Sequence, residues 1–179
     1  LKIYPAVRIA FKSKSVDPAA WFSTAHRVRH AAPLLWRELG PALDRWATTD
    51  ATVDANLELS LRLRGPFAML AGMAIENMLK GLILQGTARD ARLELISKKK
   101  LITHDLVTLA SRAGVELADF EQELLARLSR FIVWAGPYPV ALTATDTDNT
   151  DRDLTSDDYP MLVELSQRLL HLHLKTAER

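Results

Sequence analysis

The most apolar stretch of the chain, FAMLAGMAIENMLKGLILQ from Phe67 to Gln85, carries hydrophobic side chains on nearly every face and is interrupted only by Glu76, Asn77 and Lys80. A helix with that pattern has no face to offer water and belongs inside other helices. The segments before it read as part of its covering. Asp17 followed by Pro18 predicts a helix start, a cap and then a first-turn proline. Trp21, Ala25, Val28, Ala32, Leu35 and Leu39 then recur at three-and-four spacing, with Pro33 expected to kink or divide the helix. Gly40 and Pro41 punctuate. A second helical stretch is predicted from Ala42 to Arg64, broken around Thr48 to Asp50, with Leu57, Leu61 and Arg64 on one face. Gly65 and Pro66 close it and open the apolar helix.

Beyond Gln85 and Gly86 lies a polar connector, TARDARLELISKKK, with room for a short helix. THDLVTLASRAG then predicts a helix capped by Thr103, facing inward with Leu106, Leu109, Ala110 and Ala113 and ending at Gly114. Asp119 with Gln122 resembles a capping box for FEQELLARLSRFIVWA, whose buried stripe is Phe120, Leu124, Leu128, Phe131 and Ala135. The last helix is expected to start near Asp158 and Pro160 and to bury Leu162, Leu165, Leu169 and Leu172. Only the first segment, LKIYPAVRIAFKSKS, alternates with a strand period, and Pro5 confines that strand to an edge. The pattern as a whole predicts an all-α domain with a short N-terminal β-strand or arm.

Composition narrows this further. A chain of 179 residues suits one domain with a real core, here residues 1–179, with 1–16 as the arm and 143–158 as an acidic loop. The 23 Lys and Arg balance 22 Asp and Glu, a net charge of +1, so any contact with nucleic acid or a membrane surface must come from a local patch. The absence of cysteine excludes disulfides and thiolate zinc sites and fits a cytoplasmic location. No uninterrupted apolar run approaches the roughly 18 residues of a membrane span.

Several constellations could carry chemistry, each with a plainer reading beside it. Glu76 and Lys80 are four apart with the acid N-terminal, the favourable order, and in so apolar a helix each ion needs a partner. They fix register or line a small polar site. His104 and Asp105 fall in the first turn predicted after Thr103, where Asp suits the helix dipole. Glu123, Arg127, Arg130 and Trp134 form a basic and aromatic strip, suited to RNA or to ordinary packing of Arg stems. The basic arm of Lys2, Arg8, Lys12 and Lys14, and the run Lys98 to Lys100, meet phosphates or simply face solvent. His26 and His30 share a helix face, but Arg27 stands where the zinc-protease pattern has Glu. Asp146, Asp148, Thr150 and Asp157 mimic a calcium loop whose essential glycine is replaced by Asp151. His171 and His173 point to different sides of a helix and cannot share a metal. Neither a metal nor a cofactor is expected.

Taken together, AIENMLKGLIL with Glu76 and Lys80, the HDL of His104, Asp105 and Leu106, and Tyr138 with Pro139 resemble the HEPN superfamily over about Pro66 to Val140. The resemblance implies an up-and-down helical bundle of about five to six helices, frequently a homodimer, in a superfamily rich in metal-independent ribonucleases and in toxin, antitoxin and antiviral-defence components. Nuclease members carry Arg and His separated by four to six residues, the His acting as general base on a ribose hydroxyl and the Arg stabilising charge on the phosphate. From Arg130 those positions hold Ala135, Gly136 and Pro137, and Pro137 also replaces the Arg of an Arg-Tyr-Pro found in other members. One formal match remains, Arg168 to His173, but a five-residue step on a regular helix turns the two side chains apart, whereas Arg168 and His171 share a face. The expectation is a non-catalytic HEPN-like domain that binds a nucleotide, RNA or a protein partner encoded nearby, in a toxin–antitoxin or defence setting. Glu76, Lys80, His104, Asp105, Arg127, Arg130 and Tyr138 would line its groove. The alternatives are a metal-independent ribonuclease using Arg130 or Arg168 with His104 or His171, and a purely structural adaptor.

Overall fold

Asp17 and Pro18 start the first long helix as the sequence predicts. In the computed structural model, which describes residues 13–48, 54–98, 100–135 and 154–177, α1 spans Pro18–Arg29, with the Asp17 carboxylate accepting the Ala19 N–H at 3.0 Å. Pro33 divides the chain rather than kinking it: α2 (Ala32–Ala47) begins one residue before it. Gly40 and Pro41 fall inside α2, contrary to the expected break. Gly40 is buried against the indole of Trp36, one turn earlier, and a Cβ there would come within 2.9 Å of the ring nitrogen. The Trp36 ring therefore needs both the glycine and a continuous helix under it.

Asp54 caps α3 (Ala55–Leu61) by accepting the Leu57 N–H at 2.8 Å, and Arg45 at the end of α2 binds its other oxygen at 2.9 Å. The apolar helix α4 runs Arg64–Gln85, so Pro66 opens it from within the first turn, and Gly65 lies in that turn as well rather than ending the segment before it. A proline there loses nothing, because first-turn N–H groups have no intrahelical acceptor. Three short or mid-length elements follow: α5 (Arg89–Ser97), α6 (Leu106–Arg112) and α7 (Asp119–Arg130), the last continuing as a π-helical turn, Phe131–Ala135. Helix α8 is Asp158–Ala177. The protein is an all-α helical bundle with no strand among the described residues. The alternating segment lies mostly outside them, and residues 13–15 form a helical turn.

Helix α4 packs against α1, α2, α6, α7, the π turn and α8. By length and composition the run from α3 through α4 is apolar enough to cross a membrane, yet most of it is buried among the other helices. Phe67, Ile75, Met78, Leu79 and Leu84 are essentially inaccessible and meet Leu124, Leu125, Leu128, Leu165 and Leu169 from α7 and α8. Residue Phe120, expected in the stripe of α7, is 51% exposed, and Glu121 and Leu125 are buried instead. The reason is the cap. Glu121, not Asp119 or Gln122, folds back to accept the Ala118 N–H at 2.9 Å, which turns the first turn of α7 by one position. Leu172 is only half-buried, while Leu162, Leu165 and Leu169 are buried as expected.

Two buried carboxylates tie α7 to α8. Asp158 takes Arg127 in a two-point bond, 2.6 and 3.1 Å, and also the Thr155 N–H at 2.8 Å. Glu121 takes Arg168 at 2.7 and 2.8 Å. On the other side of α4, the Phe22 ring of α1 stacks on His173 of α8, centroids 3.6 Å apart, and its edge reaches Gly81 so closely that a Cβ would lie 2.6 Å away. Gln85 donates to the His173 carbonyl at 2.9 Å while its amide oxygen faces Nδ1 at 2.8 Å, so that nitrogen carries the proton. Burial pushes the His173 pKa below its ordinary value of 6.5.

Two outcomes follow from this packing. Gly81→Leu should destabilise the fold by about 2–3 kcal/mol through overpacking, read as a lower denaturant midpoint at constant m; an unchanged midpoint would show that α1 does not approach α4 this closely. Because His173 binds its proton less readily when folded than when unfolded, its contribution is complete above about pH 6.5 and declines as pH falls through its depressed native pKa. The loss of Tm between pH 7 and 5 should therefore be shallower in His173→Asn, and equal slopes would refute the assignment.

Candidate functional site: a cleft over the buried Glu76 and Lys80

Four residues apart on α4, Glu76 and Lys80 project from one face, and Glu76 Oε1 meets Lys80 Nζ at 2.5 Å. Both are buried, at 8% and 5% exposure, so water does not solvate the pair. The second carboxylate oxygen is held by His104 Nδ1 at 2.9 Å, which makes Nδ1 the protonated nitrogen. The ammonium of Lys80 also lies 5.8 Å from the centre of the Trp21 ring on α1, within cation–π range. One buried carboxylate thus connects α4 to the segment before α6, and its lysine partner connects α4 to α1.

The position of His104 is set by the start of α6. Asp105, not Thr103, is the cap: its oxygens accept the Thr108 N–H at 3.0 Å and the Thr108 hydroxyl at 2.7 Å, while Thr103 Oγ1 accepts the Asp105 N–H at 3.1 Å. These bonds hold the Asp105 carboxyl below the usual carboxylate range. His104 therefore precedes the helix instead of lying in its first turn. The Leu106 N–H donates to Ser129 Oγ at 3.0 Å, fastening this start to α7.

Above the pair opens a cleft of about 1030 Å³ between α1, α4 and the chain from the end of α5 to His104. Lys80 and Asn77 form its α4 side, and Trp21, Thr24 and Arg27 its α1 side, with Lys14 and Asp17 at one end. Ile96, Ile102 and the half-exposed His104 make the opposite wall. Arg27 donates to Thr24 Oγ1 at 3.2 Å and Asp17 is engaged with its own helix, so the charge presented to the opening is mainly that of Lys14 and Arg27.

Three of the residues expected to line a groove, Glu76, Lys80 and His104, are brought together. The others are not. Asp105 is turned to its own helix, and Arg127 and Arg130 line a separate cavity of about 540 Å³ with Phe120, Asp157 and Asp158. Arg168 is bonded to Glu121 and His171 lies exposed on α8. Tyr138 and Asp146, Asp148 and Thr150 of the acidic loop lie outside the described residues. Lys98 bonds Glu94 at 2.5 Å on the surface. His26 and His30 are exposed with their rings edge to face, and no group of three potential metal ligands occurs among the described residues. Sequence reasoning placed Trp21 in a buried stripe and passed over Arg27 and Ile102 as site residues. The signal for Arg27 is its place three residues after Thr24, itself three after Trp21, a spacing that steps diagonally across roughly 120° of α1.

No family model matches the chain, and neither a curated protein nor a solved structure matches it significantly.

Removing one member of the buried pair leaves the other uncompensated. Lys80→Met should cost about 3–5 kcal/mol, whereas the double variant Glu76→Leu, Lys80→Met should recover most of that loss in a double-mutant cycle by chemical denaturation. Additive losses would mean that the two ions are solvated and independent.

Proposed function

We propose that this protein is a non-catalytic, HEPN-like binding domain whose cleft over Glu76 and Lys80 takes a nucleotide or a short single-stranded segment of RNA. The observation that carries the reading is the three-point arrangement in which Glu76, buried beneath an open cleft edged by Trp21, holds Lys80 on its α4 side and His104 in its opposite wall. The ionic floor is a fixed polar surface, Trp21 offers ring area to a base, and Arg27 and Lys14 offer charge to phosphate. The motif order of AIENMLKGLIL, HDL and Tyr138–Pro139 supports the same reading, as do the missing nuclease His and Arg. A homodimer and a toxin–antitoxin or defence setting belong to this proposal through the same resemblance.

The ribonuclease alternative needs an Arg and a His at one phosphate. Arg130 and His104 line different cavities, and Arg168 is bonded to Glu121. The adaptor alternative gains from the burial of Glu76 and Lys80, which alone would fix the register of α4.

Fluorescence anisotropy with a labelled oligoribonucleotide and with a fluorescent ATP analogue separates these readings. Trp21→Ala should weaken binding by about tenfold, in line with about 1–3 kcal/mol per stacked base, and Arg27→Ala should both weaken it and flatten its salt dependence. The exposed Arg45→Ala serves as a control. Binding that neither cleft variant changes would refute the cleft, absence of binding to both probes would favour the adaptor, and RNA cleavage in chelator that His104→Ala abolishes would establish the nuclease.

A further inference from the structure

A second, smaller hollow of about 240 Å³ lies where the α1–α2 junction, α4 and α8 meet, and it shares no lining residue with the cleft. Phe67, Ala71, Ala74 and Ile75 of α4 make its floor, and the two alanines, about one turn apart, leave the space that larger side chains would fill. Leu162 of α8 and Pro33 of α2 close the sides. At one end Tyr159 is held in place by stacking on Trp36 at 5.0 Å and leaning on Phe67 at 6.1 Å, so the wall is rigid. An apolar hollow of about 150 Å³ already suffices for benzene, and this one has space for a ring-sized body and a small polar head.

The rim supplies the counterpart for that head. Arg29, at the last position of α1, lines the hollow, and its guanidinium makes no ion pair or hydrogen bond with any described residue. His30 adjoins it, and Ser166 and Gln167 contribute neutral polar groups from α8. None of the lining residues is acidic. A hollow with apolar walls and a single arginine fork at its mouth selects an apolar body ending in a planar anion, because a guanidinium pairs with carboxylate through two parallel bonds.

We infer that this hollow is a binding site for a small aromatic or short aliphatic monocarboxylate, its hydrocarbon against Ala71, Ala74 and Leu162 and its carboxylate on Arg29. The site goes beyond the nucleotide or RNA reading and does not depend on it.

Phenylacetate and its uncharged isostere phenylacetamide, titrated into the full chain and followed by amide NMR shifts, test this. Phenylacetate should bind saturably, shift Phe67, Ile75 and Leu162, and bind at least about tenfold more tightly than the amide, as expected for loss of a charged hydrogen-bonded partner. Arg29→Gln should abolish that preference and leave the amide's weak affinity unchanged. Ala74→Leu should eliminate both, with circular dichroism confirming that it folds; if it does not fold, the acid-to-amide ratio in Arg29→Gln decides alone. Equal affinity for acid and amide, shifts elsewhere, or no saturable shift would overturn the site. So would sedimentation showing a dimer that Ala74→Leu dissociates in a protein that ignores phenylacetate, because a second copy of the chain would then fill the hollow.

Discussion

A helix buried over most of its surface gives the ionisable groups on its enclosed faces no water, so each must be answered by a protein group. That constraint acts on α4 at Glu76 and Lys80, and much of the surrounding architecture meets it. Lys80 takes one carboxylate oxygen, and His104 takes the other. To deliver His104 there, the chain starts α6 with Asp105 as cap and fastens that start to Ser129 of α7. Trp21 comes from the opposite side and sets its ring near the ammonium. The cleft is the space these obligations leave between α1 and the segment before α6.

The same rule recurs where α7 meets α8. Asp158 and Glu121 are buried carboxylates, and each receives both an arginine and a backbone N–H: Arg127 and Thr155 for one, Arg168 and Ala118 for the other. Buried ion pairs add little net stability against a well-packed apolar alternative, but the loss of one partner is expensive. Their effect is therefore to penalise every packing in which the partners do not meet. Arg168 in particular is held by this geometry to a structural position, although on sequence alone it is a candidate beside His171.

Much of this was legible along the chain where the causes are local. Asp17 with Pro18 marked the start of α1, Pro33 its division from α2, and the unbroken hydrophobicity of α4 its central place. The order of Glu76 and Lys80 gave their contact, and Gly114, at φ 68°, ended the helical segment it was expected to end. What failed were choices between neighbouring residues able to play one local role. Thr103 and Asp105 both resemble a cap, and the tighter Asx bonding to Thr108 decided for Asp105. Asp119 and Gln122 imitate a capping box, but Glu121 caps because Arg168, 47 residues away, compensates its burial. Pairings of that range have no local signature. His104 and Glu76, 28 residues apart, each stand out locally, one beside a helix start and the other as an acid in an apolar helix, but nothing in the sequence pairs them.

Helix α5 differs from all of this. It buries no side chain fully, exposes Leu93, and carries Glu94 and Lys98 as a surface pair, yet its last turn supplies Ile96 and Ser97 to the cleft wall. Elements with few buried contacts open at a small fraction of the global unfolding free energy, whereas a helix enclosed like α4 opens only when the whole domain does. The amides at the two sides of one cleft should then exchange with solvent on very different timescales: those of α4 by global unfolding, those of α5 by local fluctuation. The cleft has a floor as durable as the fold itself and one wall that yields separately, so its width can adapt without disturbing the ions beneath it.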